Sequence, residues 1–314
     1  MKKLIVIVAT LLAAASVYAQ DMATLTETYN SGITANEAGN VELALQTFKE
    51  ALVMAEALGD EGAEIATNCK NSIPILMFSL AKKAANAAEY DKAVSGLKET
   101  IETSKKYGVD SIADEATALI PQVLMQKANG FFNEKDFAGA AEAYKAVLAE
   151  DAANGMASLR LGAALKASGD KEGAIAAFQA AIENGQEKAA SKQLVNLYQQ
   201  DAAASLKAKK YDDAIASALE SNKYGESAKA YQIAGTAASN GGKTKQAVEY
   251  FEKYIELAPT AKNSGDILFS IAVSYQQLKD NAKAKEYYQK AVADPTKINP
   301  KNLEAAKAQL AVIK

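Results

Sequence analysis

One spacing of small and large residues recurs along this chain and limits the folds that it can adopt. A glycine or alanine is followed by a turn residue seven places later, a second small residue five places further on, and a large residue after another four. Two well-separated segments show it clearly, through Gly162, Gly169, Ala174 and Phe178, and through Gly235, Gly242, Ala247 and Phe251. The pattern predicts a helix, a turn and a second helix, repeated along the chain.

Simple packing rules explain why these residue types occupy these places. A small residue in the first helix lets the second helix approach closely, and the turn residue breaks the chain between the two helices. In the second helix, residues four places apart lie on one face, so the small and the large residue point the same way. Each pair leaves an apolar face that only a neighbouring pair can cover, which favours a stacked array.

Seven such units fit nearly the whole chain. The close-approach residues of the first helices are Gly32, Ala81, Ala128, Gly162, Ala202, Gly235 and Ala272. The small residues of the second helices are Ala44, Ala93, Ala140, Ala174, Ala214, Ala247 and Ala284. The large residues four places later are Phe48, Leu97, Tyr144, Phe178, Ala218, Phe251 and Tyr288, and Ala218 is the weak member.

This pattern resembles the tetratricopeptide repeat (TPR), a helix-turn-helix unit of about 34 residues. The match is closest in units three, four, six and seven. The resemblance implies an all-α fold, a right-handed TPR superhelix of helix-turn-helix repeats that ends in a C-terminal capping helix.

The repeat spacing predicts how the chain is divided. The first two intervals between close-approach residues, 49 and 47 residues, exceed the later ones. We predict longer helices or an extra turn there, with Pro74 and Pro121 in the first turns of new helices. The predicted organisation is two elongated repeats over residues 20–120, five repeats over 121–298 and a capping helix over 299–314. On that last helix, one face carries Leu303, Ala306, Leu310 and Ile313.

The first 19 residues have the layout of a secretory signal peptide. Lys2 and Lys3 precede a short apolar run, and Val17-Tyr18-Ala19 places small residues before a cut between Ala19 and Gln20. The run is too short to span a bilayer comfortably, and no second apolar stretch is long enough to do so. We expect an exported bacterial protein, periplasmic or secreted, with an uncleaved N-terminal anchor as the alternative.

The charged residues argue against nucleic acid as a partner. Removal of Lys2 and Lys3 leaves 33 basic residues against 38 acidic ones, a net charge of −5. Arg160 is the only arginine, whereas a nucleic-acid binder needs a basic face, usually with several arginines. The single cysteine, Cys69, excludes an intrachain disulfide, and we interpret it as a small packed residue rather than a reactive thiol.

Catalytic motifs are scarce, because the chain has no histidine. Serine and cysteine triads and histidine-based metal sites are therefore excluded. Residues Ala237 to Thr244 match the spelling of a phosphate-binding loop, but that loop needs a strand before it, and a helix is predicted there. We predict a protein that is not an enzyme and that has no cofactor and no metal.

The resemblance also implies where a ligand binds. In TPR proteins the first helices line the concave side, and ligands contact the second, fifth, sixth, ninth, twelfth and thirteenth places. The predicted partner-binding residues are Tyr29, Phe78, Met125, Gln126, Asn129, Phe132, Arg160, Lys166, Gln199, Gln200, Gln232 and Phe269. Aromatic residues at the fifth place are either anchors for a partner or packing residues, and packing is the favoured interpretation because fewer than half the units have one.

The leading hypothesis is a non-enzymatic scaffold of the bacterial envelope that binds a protein or peptide on its concave face. Arg160 and Lys166 favour an acidic stretch. A carbohydrate- or small-ligand-binding solenoid is the alternative, with the aromatic rings as stacking platforms. A carboxylate-dependent hydrolase is the least supported hypothesis. The sequence leaves the identity of the partner and the oligomeric state open.

Overall fold

The computed structural model describes residues 21–313, so the predicted signal peptide lies outside the described residues. All the regular structure in this range is helical. In chain order the helices are α1 (21–37), α2 (Val41–Ala57), α3 (Ala63–Asn86), α4 (Tyr90–Tyr107), α5 (Asp110–Asn133), α6 (Phe137–Glu150), α7 (Gly155–Ser168), α8 (Lys171–Ala181), α9 (Glu187–Lys207), α10 (Tyr211–Tyr224), α11 (Ala228–Asn240), α12 (Thr244–Leu257), α13 (Ser264–Gln277), α14 (Asn281–Val292) and α15 (Pro300–Val312).

The first fourteen helices follow one another as seven helix-turn-helix pairs, which confirms the predicted all-α repeat fold. Short helical turns of other kinds occur at Gly59–Gly62, Ile182–Gln186 and Pro295–Lys297. The chain divides into two units, unit 1 up to Ala174 and unit 2 from Ile175, and each is described by itself below.

The predicted small residues of the second helices are the best-buried positions of the fold. All seven alanines, from Ala44 to Ala284, have no exposed surface. In two pairs the helices are too close for any side chain at the glycine. A Cβ added at Gly32 would lie 2.9 Å from the Phe48 ring, and one added at Gly235 would lie 2.5 Å from the Phe251 ring. Helix contact of this kind depends on residues without bulk at those places.

Every turn within a pair uses one residue in the left-handed backbone region, at the predicted place seven residues after the close-approach residue. Glycine fills it at Gly39, Gly169 and Gly242, with φ of 75°, 92° and 73°. Other residues fill it in the remaining four turns, at Ala88, Lys135, Lys209 and Lys279, with φ between 60° and 64°. The repeat therefore fixes this backbone conformation even where the residue type disfavours it.

The long intervals near the start contain long helices, the first of the two predicted alternatives, but the prolines are not in first turns. Both α3 and α5 have 24 residues, with Pro74 and Pro121 in their interiors. Each proline removes one helical hydrogen bond, which packing of the long helix must offset. Pro74 is fully buried. The predicted boundary between residues 120 and 121 accordingly falls inside α5.

The last helix, α15, covers the end of unit 2. Ala306 and Ile313 are buried in the cluster that also contains Ile271 and Tyr288, and Leu310 packs against it. The carboxylate of Asp266 accepts hydrogen bonds from the backbone N–H of Asn299 and from the Asn302 amide, both at 2.8 Å. The predicted apolar face of α15 is therefore the face that it buries.

Candidate functional site

The predicted ligand places form a strip along the first helices of each unit, α1, α3, α5 and α7 in unit 1 and α9, α11 and α13 in unit 2. We call the strip of each unit its first-helix face. The three aromatic residues predicted at the fifth place are already packed. Tyr29 lies against Phe48 with ring centroids 5.5 Å apart, Phe269 lies 5.7 Å from Tyr288, and Phe78 is 8% exposed.

The aromatic residue at a twelfth place is also packed within its own pair. Phe132 lies at the end of α5 and meets Phe137, the first residue of α6, edge to face at 5.3 Å. These contacts support the packing interpretation of the aromatic residues. They also leave the carbohydrate hypothesis without an unpacked ring among its predicted stacking platforms.

Two of the predicted polar residues form internal hydrogen bonds. Asn129 accepts a bond of 2.7 Å from the hydroxyl of Tyr144, whose pKa is raised by burial against the opposing influence of Arg160. Gln199 is 7% exposed, and its amide donates to the Ser227 hydroxyl at 2.8 Å. A partner could reach Gln199 or Phe78 only after local rearrangement, so neither is retained in the site that we propose.

The other predicted residues face solvent to different degrees. Arg160, Gln126 and Gln200 are exposed, whereas Met125 and Gln232 are half-buried. Lys166 is half-buried and already interacts with another residue. Within residues 21–313 the side-chain amides of Gln200 and Gln232 form no hydrogen bond, so both keep a donor and an acceptor for a ligand.

The structure adds two apolar residues that the sequence prediction did not include. Ile75 on α3 is 50% exposed and Met156 on α7 is 43% exposed. Both lie six residues before a close-approach residue, at the second place, which belongs to the ligand-contacting set of the family. The signal that could have identified them was the exposure expected at that place, combined with a large apolar side chain in each.

The phosphate-loop spelling has no phosphate-loop structure around it. Residues Ala237 to Asn240 end helix α11, and Gly242 forms the left-handed turn before α12 begins at Thr244. A phosphate-binding loop requires a strand before the glycines, so this segment is an inter-helix turn, as its position in the repeat predicted.

Cys69 lies inside the core of unit 1. It has no exposed surface, and burial raises the pKa of its thiol to about 11. A protonated, enclosed thiol is unreactive, which agrees with the packing interpretation. Within the described range, no helix is long and apolar enough to cross a bilayer.

Comparison with known proteins identifies the repeats. Two profiles, each described as tetratricopeptide repeat, match residues 125–189 in one case and residues 228–260 and 265–293 in the other. These are units three, four, six and seven, the units in which the sequence pattern is closest. No curated protein matches the chain.

Solved structures similar to this chain are distant in sequence and geometry. One described as MamA protein is 23% identical, with a TM-score of 0.35, and the match covers 56% of this chain and 91% of the other. One described as YrrB, a TPR protein with an unusual peptide-binding site, is 19% identical, with a TM-score of 0.35 and coverage of 64% and 97%. Similarity this distant carries no conclusion about ligands.

Proposed function

This chain belongs to the tetratricopeptide-repeat family, and on that premise we propose that it is a non-enzymatic scaffold that binds a protein or peptide on its first-helix faces. The exposure of Ile75 and Met156 carries the proposal. Two large apolar side chains stand 50% and 43% exposed at the same repeat place, although smaller or polar residues would serve there. Apolar surface kept in water at a ligand place favours a partner that covers it.

The two faces favour different features of a bound chain. In unit 1, Ile75, Met125 and Met156 offer adaptable apolar contacts, and the exposed guanidinium of Arg160 favours a carboxylate nearby. In unit 2, the amides of Gln200 and Gln232 can donate to and accept from a peptide backbone. The ligand that we propose is therefore an extended segment with apolar and acidic side chains.

Crosslinking in intact cells, followed by affinity capture, tests this proposal. The variant Ile75→Ser, Met156→Ser, Arg160→Gln should lose the captured partner while its helical content stays unchanged. The matched control is Val53→Ser, Leu257→Ser, Lys262→Gln, which removes exposed apolar area from second helices and one positive charge from the loop before α13. Equal capture by both variants would exclude the first-helix faces as the binding site.

We also propose that the scaffold works outside the cytoplasm, in the periplasm or after secretion. This proposal depends on residues 1–19, whose composition is that of a signal peptide. N-terminal sequencing of the protein from fractionated cells should give a chain that begins at Gln20 in the exported fraction. A chain that retains Met1 in the cytosol would contradict the proposed location.

A further inference from the structure

The turns within the pairs carry opposite net charge in the two units. We compare equal windows, from five to eleven residues after each close-approach residue, and call them together the turn edge of a unit. In unit 1 the windows 37–43, 86–92, 133–139 and 167–173 hold eight acidic residues and three lysines. In unit 2 the windows 207–213, 240–246 and 277–283 hold three acidic residues and seven lysines.

We call the seven lysines of unit 2 the lysine edge; they are Lys207, Lys209, Lys210, Lys243, Lys245, Lys279 and Lys283, and all are exposed. The three turns that carry them are neighbours in space. Lys243 at the second turn forms an ion pair of 2.7 Å with Asp212 beside the first. Thr244 donates to the Gln277 side chain beside the third turn at 3.3 Å. The lysines therefore form one continuous row.

Most of this positive charge is not neutralised by the protein itself. In unit 1, Lys92 of the turn edge pairs with Glu89 at 2.8 Å. Just outside the windows, Lys83 pairs with Glu42 and Lys127 with Asp91 of the neighbouring repeat, at 2.8 Å and 2.5 Å. In unit 2, Lys243 has Asp212, and Lys283 lies over the Tyr275 ring at 4.9 Å. The five other members of the lysine edge have no ion pair among the residues described.

Helix stability does not account for two of these lysines, Lys210 and Lys243. The second helices of unit 1 begin after residues such as Asn40 and Asp136, whose side chains accept a hydrogen bond from the first turn. In unit 2, α10 and α12 begin after Lys210 and Lys243, which make no such bond, whereas α14 begins after Asp280, which does. A lysine at this place forgoes a cap worth about 1 kcal/mol and opposes the helix dipole. Because positive charge is kept at these two places although it lowers helix stability, we infer that it has a binding role.

From these observations we propose that the lysine edge is a second docking surface, which binds an extended acidic segment of a partner protein. Packed helices lie about 10 Å apart, and three residues of extended chain span about that distance. An extended segment can therefore present a carboxylate at each turn. The site is separate from the first-helix face, so this proposal does not depend on the function proposed above.

The chemistry of the edge favours an acidic protein over an anionic lipid surface or a nucleic acid. Three carboxylates lie among the lysines, and two are engaged, since Asp212 pairs with Lys243 and Asp280 accepts from the Lys283 N–H. The third, Asp213, can accept a backbone N–H from a peptide, a donor that a phosphodiester backbone lacks. Only one exposed large apolar side chain, Leu278, accompanies the edge, whereas membrane-surface segments insert several. The edge contains no arginine, the residue that pairs bidentately with phosphates.

Fluorescence anisotropy with a labelled glutamate-rich peptide of about ten residues, long enough to cover the three turns at about 3.3 Å per residue, tests the proposal. The probe should bind the native chain, and binding should weaken as salt is raised to about 0.15 M. The variant Lys210→Gln, Lys245→Gln, Lys279→Asn should bind at least about tenfold more weakly, the combined effect of three charge contacts.

The matched control removes three exposed lysines outside the turn edge, in the first turn of α9, the last turn of α10 and the loop before α13, as Lys188→Gln, Lys223→Gln, Lys262→Asn. It carries the same net charge as the test variant and should bind the peptide as the native chain does. Equal weakening in both variants would show that binding depends on the overall charge of the protein and not on the lysine edge, which would contradict the proposal. Tighter binding of anionic vesicles or of single-stranded DNA than of the peptide would overturn the acidic protein segment as the occupant.

Discussion

The turns of unit 1 and unit 2 have the same backbone and opposite charge. In both units the turn residue is left-handed, at the same place in the repeat, with φ between 60° and 92°. The turn windows of unit 1 hold eight acidic residues and three lysines, whereas those of unit 2 hold three and seven. Backbone geometry and surface chemistry are therefore specified by different residues of the same short segment.

This difference shows which residues the repeat holds fixed. Buried alanines and the left-handed turn place recur in both units because steric contact between the helices depends on them. Exposed turn residues contribute little to packing, so their charge can change from one unit to the other without changing the fold. The four predictions below test the shared part first and the differing part afterwards, in order of expected effect.

The largest effect is expected from the buried tyrosines that occupy equivalent places in the two units. Tyr144 donates to Asn129 at 2.7 Å and Tyr288 donates to Gln276 at 2.9 Å, and neither ring is more than 1% exposed. Replacement of either by alanine should lower the free energy of unfolding by about 3–5 kcal/mol in urea denaturation. A loss below about 1 kcal/mol at one site would show that the two units do not share this packing.

A smaller effect is expected when the residues before the second helices are exchanged between the units. Lys210→Asp should raise the free energy of unfolding by about 1 kcal/mol, because the aspartate side chain can accept a hydrogen bond from a backbone N–H of the first turn and complements the helix dipole. Asp136→Lys should destabilise by about 1–2 kcal/mol, because it removes the 2.9 Å bond from the Gly139 N–H. Lys262→Asp, in a loop, serves as the control. A destabilised Lys210→Asp variant would contradict the argument that lysine is unfavourable there.

Replacement of the turn lysines tests the shared backbone directly. Lys135 in unit 1 and Lys209 in unit 2 have φ of 64° and 60°. Glycine at either place should stabilise by about 0.5–1 kcal/mol, since the cost of the left-handed conformation exceeds the extra freedom that glycine gives the unfolded chain. Gly169→Ala should destabilise by a similar amount. Thermal denaturation measures both, and unequal effects in the two units would refute a common turn.

Thiol labelling should give the smallest signal and distinguish the units, because Cys69 is in unit 1 and unit 2 has no cysteine. Burial raises the thiol pKa to about 11, so little thiolate is present until the pH approaches that value. At pH near 8 the native chain should react far more slowly than the urea-unfolded chain. Rapid labelling of the native chain would indicate that unit 1 opens readily.

Much of the fold follows from the sequence because steric rules leave few choices. A helix pair with Gly235 opposite Phe251 cannot accept a side chain at the glycine, so the spacing identifies the pair. The prolines were placed wrongly for a physical reason as well. Pro74 and Pro121 suit a first turn by local preference, yet the long helices α3 and α5 continue through them, which local sequence does not reveal.

The candidate site was less predictable, since exposure depends on neighbours outside the helix. Gln199 and Gln200 are adjacent in sequence, yet Gln199 is buried against Ser227 and Gln200 is exposed. The sequence shows which residue types occupy the ligand places, but it does not show which of their side chains are already packed or hydrogen-bonded within the protein. Ile75 and Met156 became candidates only through their exposed fractions of 50% and 43%.

The attachment of α15 has a consequence for how copies of this chain can associate. The Asp266 carboxylate accepts hydrogen bonds from Asn299 and Asn302, and Ala306 and Ile313 of α15 pack in the same cluster as Ile271 and Tyr288. A further helix pair would stack on this same surface of unit 2. Two copies of the chain could therefore join end to end through it only if α15 were displaced.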